Sequence, residues 1–426
     1  MACDSVRALA WAAAGLLMAV GAHAEGADEA AVWRVDASAR VDAFHSPERP
    51  DDRGRPAILT GQFKAEAKWS SATRAFAETR LATPRHDAFS PGQASDSRLL
   101  EAYVAQPWGD SELRVGKQIL AWGRADGVNP TDNLSPRDFV TWLPFDDDQR
   151  FGTWAARWSA GLGAGTELAA AVAPRFEGSV VPVPQQPYPV DVVTPSRTWA
   201  NTAVALKLNR SGARFDWSLS YLHGLSLLPA ARVKAIDVLG PRLEFRHDRV
   251  HVLGADAAWN AGRFGMRVEA ALTRPTASDD GGPAMRHADF FWAGGADRTL
   301  GGNLNVNLQL FGRHVMNFTD PYSMADPLQR QVAIQNAITV GQQDRNTLGL
   351  SLRISDKWLG ETLQGELLLV DSRTRNTRSL RPLLSYAITD TLKAAVGAVL
   401  YSGADDTLFG RKKSNNRFFL ELRYSP

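Results

Sequence analysis

The side chains best equipped for chemistry cluster between Gln118 and Asp148. This stretch contains Trp122-Gly123-Arg124-Ala125-Asp126-Gly127, then Asn129-Pro130-Thr131-Asp132-Asn133, Pro136-Arg137-Asp138-Phe139 and the acidic run Asp146-Asp147-Asp148. Gly, Pro, Asn and Asp supply the turns of a compact connection, and long ordered connections are usually functional. Arg and Asp in such density can orient a charged solute, but they match no phosphate-binding loop. Seven histidines lie beyond residue 24: His45, His86, His223, His247, His251, His287 and His314. None stands in a Gly-x-Ser-x-Gly or His-Glu-x-x-His context, so acyl and peptide cleavage have no candidate. His247, Arg249 and His251 would alternate on one strand face, yet two imidazoles without a thiol fall short of a zinc site. No catalytic residue, metal site or cofactor is predicted.

The elements that must position these groups read as strands. Between Trp33 and Ala43 every odd residue (Trp33, Val35, Ala37, Ala39, Val41, Ala43) suits lipid and every even one (Arg34, Asp36, Ser38, Arg40, Asp42) suits water. Such period-two alternation puts successive side chains on opposite faces of a strand. Leu59–Trp69, Phe264–Leu272 and Asn303–Leu310 repeat it, as does the C-terminus, where Phe418, Leu420, Leu422 and Tyr424 oppose Phe419, Glu421 and Arg423. A soluble sandwich also alternates, so number and spacing decide. About eighteen segments of roughly ten residues, joined alternately by short turns and longer loops, form the pattern of a transmembrane antiparallel β-barrel; the count is bounded at sixteen to eighteen. Even parity requires Arg242 to Trp259 to run as one long strand. The short connections (Ser70–Ala72, Pro107–Asp110, Asn209–Gly212, Asn260–Gly262, Leu300–Gly302) are assigned to the periplasm. The long ones (His45–Ala57, Pro84–Ser97, Ala121–Arg150, Arg175–Arg197, Pro275–His287, Met316–Gln343) are assigned to the cell surface. Trp33, Trp69, Trp154, Trp158, Trp199, Trp217, Trp259, Trp292, Trp358 and Tyr424 adjoin turns and fit aromatic girdles at the two membrane interfaces.

The N-terminus supports export. Arg7, the apolar run Ala8–Val20 and the small-residue site Ala22-His23-Ala24 have the build of a secretory signal peptide over 1–24, leaving 25–426 as the barrel. Cys3, the only cysteine, precedes that run, so the mature chain has no thiol chemistry. Charged or polar residues interrupt every later apolar run, which leaves a closed barrel as the only way through a bilayer. A formal net charge of +2 gives no case for nucleic acid.

The stretch Leu99 to Phe139, with Arg114-Val115-Gly116-Lys117-Gln118 ahead of the Trp122-Gly123-Arg124 run, resembles a family of largely uncharacterised proteobacterial outer-membrane barrels, related in appearance to alginate-export-type channels. In position, after the fifth strand, it also resembles the loop that general porins fold into the lumen. The resemblance implies a channel and assigns no substrate. On this reading residues 121–150 form a constriction loop carrying Arg124, Asp126, Asp132 and Asp138. The lumen carries Arg34, Arg40, Lys64, Lys68, Arg74, Arg80, Arg114, Arg157 and Arg267 beside Asp36, Asp42, Glu66, Glu78, Glu101 and Glu269. Asp126, Asp132 and Asp138 are expected to face Arg74, Arg114 and Arg157 across the path. A modest excess of Arg would favour small or anionic hydrophilic solutes. The partners expected are outer-membrane lipid and lipopolysaccharide, the barrel assembly machinery through the C-terminal strand, and the solutes themselves. An envelope export component for lipid or polysaccharide, or a plugged barrel serving as surface enzyme or adhesin, is the alternative.

Overall fold

The computed structural model describes residues 32–45, 57–69, 73–82, 97–139, 149–181, 190–238, 240–276 and 286–426. The expected signal peptide, the turn at 70–72, the run at 146–148 and most of the connections at 45–57, 84–97 and 275–287 lie outside the described residues.

Eighteen strands close into one antiparallel barrel. In chain order the first seven are β1 (Val32–His45), β2 (Ala57–Trp69), β3 (Thr73–Ala82), β4 (Arg98–Trp108), β5 (Ser111–Gln118), β6 (Thr153–Gly163) and β7 (Thr166–Arg175). After a short strand β8 (Val190–Val192), the wall continues with β9 (Ala203–Arg210) and β10 (Phe215–Leu225), then leaves for β11 (Ala230–Asp237) and β12 (Gly240–Arg246). It resumes as β13 (Arg249–Ala261), β14 (Phe264–Pro275), β15 (Asp289–Leu300), β16 (Leu304–Val315), β17 (Asn346–Trp358), β18 (Leu363–Ser372), β19 (Thr377–Ala387), β20 (Leu392–Ser402) and β21 (Arg417–Tyr424). β21 pairs with β1 from Ala39↔Tyr424 to His45↔Phe418, which closes the barrel edge to edge.

Alternation dictates which face each residue takes. Leu422 on β21 is 45 % exposed outward while its neighbour Glu421 is 4 % exposed inside, beside Arg423 at 3.1 Å and Arg40 at 3.9 Å. The turns at one end are short: Gly109–Asp110, Ala164–Gly165, Gly262–Arg263 and Gly301–Asn303 join neighbouring strands directly. Long connections gather at the other end, with Arg373–Arg375 as a short exception between β18 and β19.

Arg242 to Trp259 is not one strand: the chain turns at His247-Asp248, and β12 belongs to a separate three-stranded sheet with β11 (antiparallel) and β8 (parallel). A polar corner makes the break. The Asp248 carboxylate holds Arg232 at 2.6 Å, its carbonyl accepts the Ser226 N–H at 2.7 Å, and His247 Nδ1 lies 2.8 Å from the Ser226 carbonyl. The β11–β12 hairpin adds two strands outside the barrel, so the wall stays even. The long connection between β16 and β17 also contains a helix, α1 (Pro327–Val340), which the strand-period reading did not foresee. Asp326 caps it by accepting from the Gln329 N–H, and Gly341 ends it in the left-handed conformation (φ 70°). Val332 of α1 packs with Ala231, Leu243 and Phe245 of the small sheet. The Asn336 side chain grips both the N–H and the C=O of Ala231 at 2.7 and 2.8 Å.

Candidate functional site

The segment following β5 enters the barrel because the wall there is lined with small side chains. Ala155, Ala171, Ala173, Ala205, Ala271, Val250 and Val252, all buried, receive Leu120, Trp122 and Leu134 in one apolar cluster. Burying this surface drives the segment inward, and polar contacts then fix its course. Glu101 accepts the Ile119 N–H at 2.7 Å, and Ser135 Oγ accepts that of Leu120 at 2.6 Å. Glu269 of β14 is the main anchor. Its carboxylate accepts four hydrogen bonds: from the N–H groups of Arg124 (2.9 Å), Ala125 (3.0 Å) and Thr131 (2.6 Å), and from Thr131 Oγ1 (2.9 Å). Gly123 is required here: its φ is +96°, and a β-carbon would stand 2.6 Å from Glu269 Oε2. Gln309 of β16 brackets Val128 through both its N–H and its C=O, and Gly127 lies against Ser351 of β17. The segment therefore crosses the lumen from β5 to the β16–β17 wall.

Its charges do not meet the partners expected from the sequence. Arg124 turns to Asp256 (Nε–Oδ1 2.6 Å) and Asn209, and Asp126 pairs with Arg267 and Asn307. Asp132 is held within the same loop by Arg137 (2.8 Å) and Arg150, and Asp138 by Arg98 (3.1 Å). Arg74 and Arg114 instead share Glu112 on their own wall at 2.7 and 3.0 Å, and Arg157 lies 3.6 Å from Glu167. The expected facing of Asp126, Asp132 and Asp138 against Arg74, Arg114 and Arg157 is thus corrected: each group pairs with a nearer partner. Arg40 is buried with Asp42 (3.0 Å), Arg80 is buried on β3, and Arg34 sits exposed at the short-turn end beside Asp36. His247 is not on the strand of His251. It lies in the polar corner with its ring against Phe176, and burial holds its pKa below the usual histidine value. Among the described residues no three candidate ligands gather around a possible metal.

On the far side of the crossing segment lies a cavity of about 1680 Å³. The segment forms one side and the inward faces of β16–β21 the other, with α1 and the connection after β20 contributing at the long-connection end. Among the described residues its lining includes ten cations: Arg137, Arg150, Arg313, Arg353, Arg375, Arg381, Arg411, Lys412, Lys413 and Arg417. Against these stand four carboxylates, Asp126, Asp344, Glu366 and Asp405. Glu366 is shared by Arg353 (2.6 Å) and Arg381 (3.6 Å), and Asp344 takes Arg375 at 2.6 Å. Lys413 pairs with Asp405 at 2.8 Å and holds that carboxyl below the usual range. Lys412 has no carboxylate partner among the described residues; it lies 5.6 Å from the Tyr401 ring, and burial pulls its ammonium below the usual lysine range. Arg137 and Arg150 fall within the expected constriction loop; the other eight cations were not expected at the site. Arg353, Arg381 and Arg417 occupy inward positions that the same alternation could have flagged, whereas Arg411, Lys412 and Lys413 stand in a connection without periodicity.

A closed barrel with an apolar outer belt and a charged, hollow interior has the fold of an outer-membrane β-barrel. Solved structures of this class share its fold. The outer membrane protein OpdK of Pseudomonas aeruginosa superposes with a TM-score of 0.55 at 10% identity, covering 93% of this chain and 99% of that one. OccAB4 of Acinetobacter baumannii gives 0.55 at 8% identity, over 92% and 98%. A BenF-like porin of Pseudomonas fluorescens Pf-5 gives 0.53 at 10% identity, over 92% and 98%. The family model described as "Protein of unknown function (DUF1302)" matches residues 33–425, and the chain belongs to that family. No curated protein matches it.

Proposed function

We propose that this protein is an outer-membrane channel through which small hydrophilic solutes pass passively, with anions preferred. The observation that carries the reading is the cavity inside the barrel, where among the described residues ten lining cations face four lining carboxylates, a surplus that Asp132 behind Arg137 and Arg150 and Asp289 behind Arg313 reduce without cancelling. In a water-filled path with low-dielectric walls, such a surplus raises the local concentration of anions and lowers that of cations. Residues 121–150, with Arg124, Asp126, Asp132 and Asp138, act as the constriction; the support is that the described stretch 121–139 crosses the lumen and leaves the cavity on one side of it. The long connections face the cell exterior and the short turns the periplasm, as is usual for bacterial barrels. Residues 1–24 serve as the export signal.

Liposome swelling tests this reading with solutes matched in size. Proteoliposomes should swell faster in a small carboxylate than in an amine of equal mass, and faster in either than protein-free liposomes. Swelling no faster than in protein-free liposomes would mean a plugged barrel.

A further inference from the structure

The outward face of three adjacent strands carries a chemistry separate from the lumen. Register aligns the outward side chains of β10, β13 and β14 in rows: Phe215–Trp259–Met266, Trp217–Ala257–Val268, Leu219–Ala255–Ala270 and Tyr221–Leu253–Leu272. The next row is His223–His251–Arg274, and Arg249 follows beside Leu225. Apolar side chains thus give way abruptly to basic ones. Eight residues separate Phe215 from His223, which at about 3.4 Å per residue and a tilt of about 40° is roughly 21 Å along the barrel axis. An outer-membrane apolar band is about 25 Å tall, so the basic row stands at its rim. The first outward positions at the same end of β3, β4, β15 and β21 are the exposed Leu81, Leu99, Phe290 and Phe418; His45 and His314 also point outward there, but each stands opposite one of these phenylalanines and not beside a second basic side chain.

Its members are not consumed by carboxylates. The His223 and His251 rings stack at 4.3 Å, and the Tyr221 hydroxyl lies 2.9 Å from His251 Nδ1. Arg249 donates to Asn201 Oδ1 at 3.1 Å, and Arg274 is exposed with no acidic partner among the described residues. Asp248, next in sequence to Arg249, is partly buried and committed to Arg232. A basic cluster at the level of lipid headgroups is complementary to phosphate, which guanidinium groups bind in bidentate fashion. We propose that Arg249, Arg274, His223 and His251 form a binding site for the phosphate groups of lipopolysaccharide on the outer wall of the barrel. The choice of that lipid rests on the proposed orientation, which puts this rim in the outer leaflet.

The test uses the full barrel in detergent, with lipid retention measured by native mass spectrometry for bisphosphorylated lipid A, dephosphorylated lipid A and phosphatidylglycerol. The wild type should retain the bisphosphorylated form about tenfold more strongly than the dephosphorylated one, the size expected for one or two charge-assisted contacts. Arg249→Gln combined with Arg274→Gln should bring that ratio close to one, whereas Arg175→Gln, an exposed cation on β7, should leave it unchanged. An unchanged ratio in the double variant overturns the site. Equal retention of phosphatidylglycerol and bisphosphorylated lipid A overturns the assignment to lipopolysaccharide. Conductance is read on the same samples, so a barrel that keeps the lipid preference without conducting contradicts the channel and not this site.

Discussion

Glu269→Ala should raise single-channel conductance and make the open current noisier, more than the loss of any single lumen cation. The carboxylate accepts four hydrogen bonds from Arg124, Ala125 and Thr131, and these tie the crossing segment to β14. Hydrogen bonds to a charged group contribute about 1.5–3 kcal/mol each, so even with strong non-additivity several kcal/mol of anchoring disappears. The segment would then leave the wall and sample the lumen. Glu269→Gln should be intermediate, since one acceptor oxygen survives while the amide presents donors to donors. Heat-modifiability on a gel verifies that the barrel still folds. Unchanged conductance in a folded Glu269→Ala barrel would show that residues 121–150 do not narrow the path.

The second large effect concerns selectivity. Arg353 and Arg381 share Glu366 on the cavity wall. Replacing both with Gln leaves that carboxylate unopposed, so the pair of substitutions removes two cations and exposes one anion. A solute ion about 4 Å from an unscreened charge in water gains or loses about 1 kcal/mol, roughly a fivefold change in occupancy. The anion-to-cation permeability ratio should therefore fall about fivefold or more in dilute salt. The change should shrink towards 1 M, where the screening length is about 3 Å. A ratio equal to that of the wild type at every salt concentration would place the conducting path away from β17–β19.

The barrel was legible in the sequence because its physical requirement, lipid on one face and water on the other, is written residue by residue in strands such as Trp33–Ala43 and Phe418–Tyr424. What alternation cannot report is which sheet a strand joins. Leu243 and Phe245 alternate as well as any barrel residue, yet they face α1 and the small sheet. The crossing segment was legible by composition, since turn formers and charges in such density mark a structured connection. Its destination was not. The clue lay in the inward alanines of β6, β7, β9 and β14, too small to fill a lumen alone, and their meaning depends on which strands are neighbours. The basic wall was missed for a related reason: Arg353, Arg381 and Lys412 are far apart in sequence, and only barrel closure gathers them around one cavity.

Whether the barrel is an open path that prefers anions is read from the reversal potential of the wild-type protein in a planar bilayer under a tenfold potassium chloride gradient. An anion-preferring channel gives stable single-channel currents and a reversal potential displaced towards the chloride equilibrium potential, with the displacement larger in dilute than in concentrated salt. A displacement towards the potassium equilibrium potential, or a folded barrel that carries no current, would contradict an open, anion-preferring path.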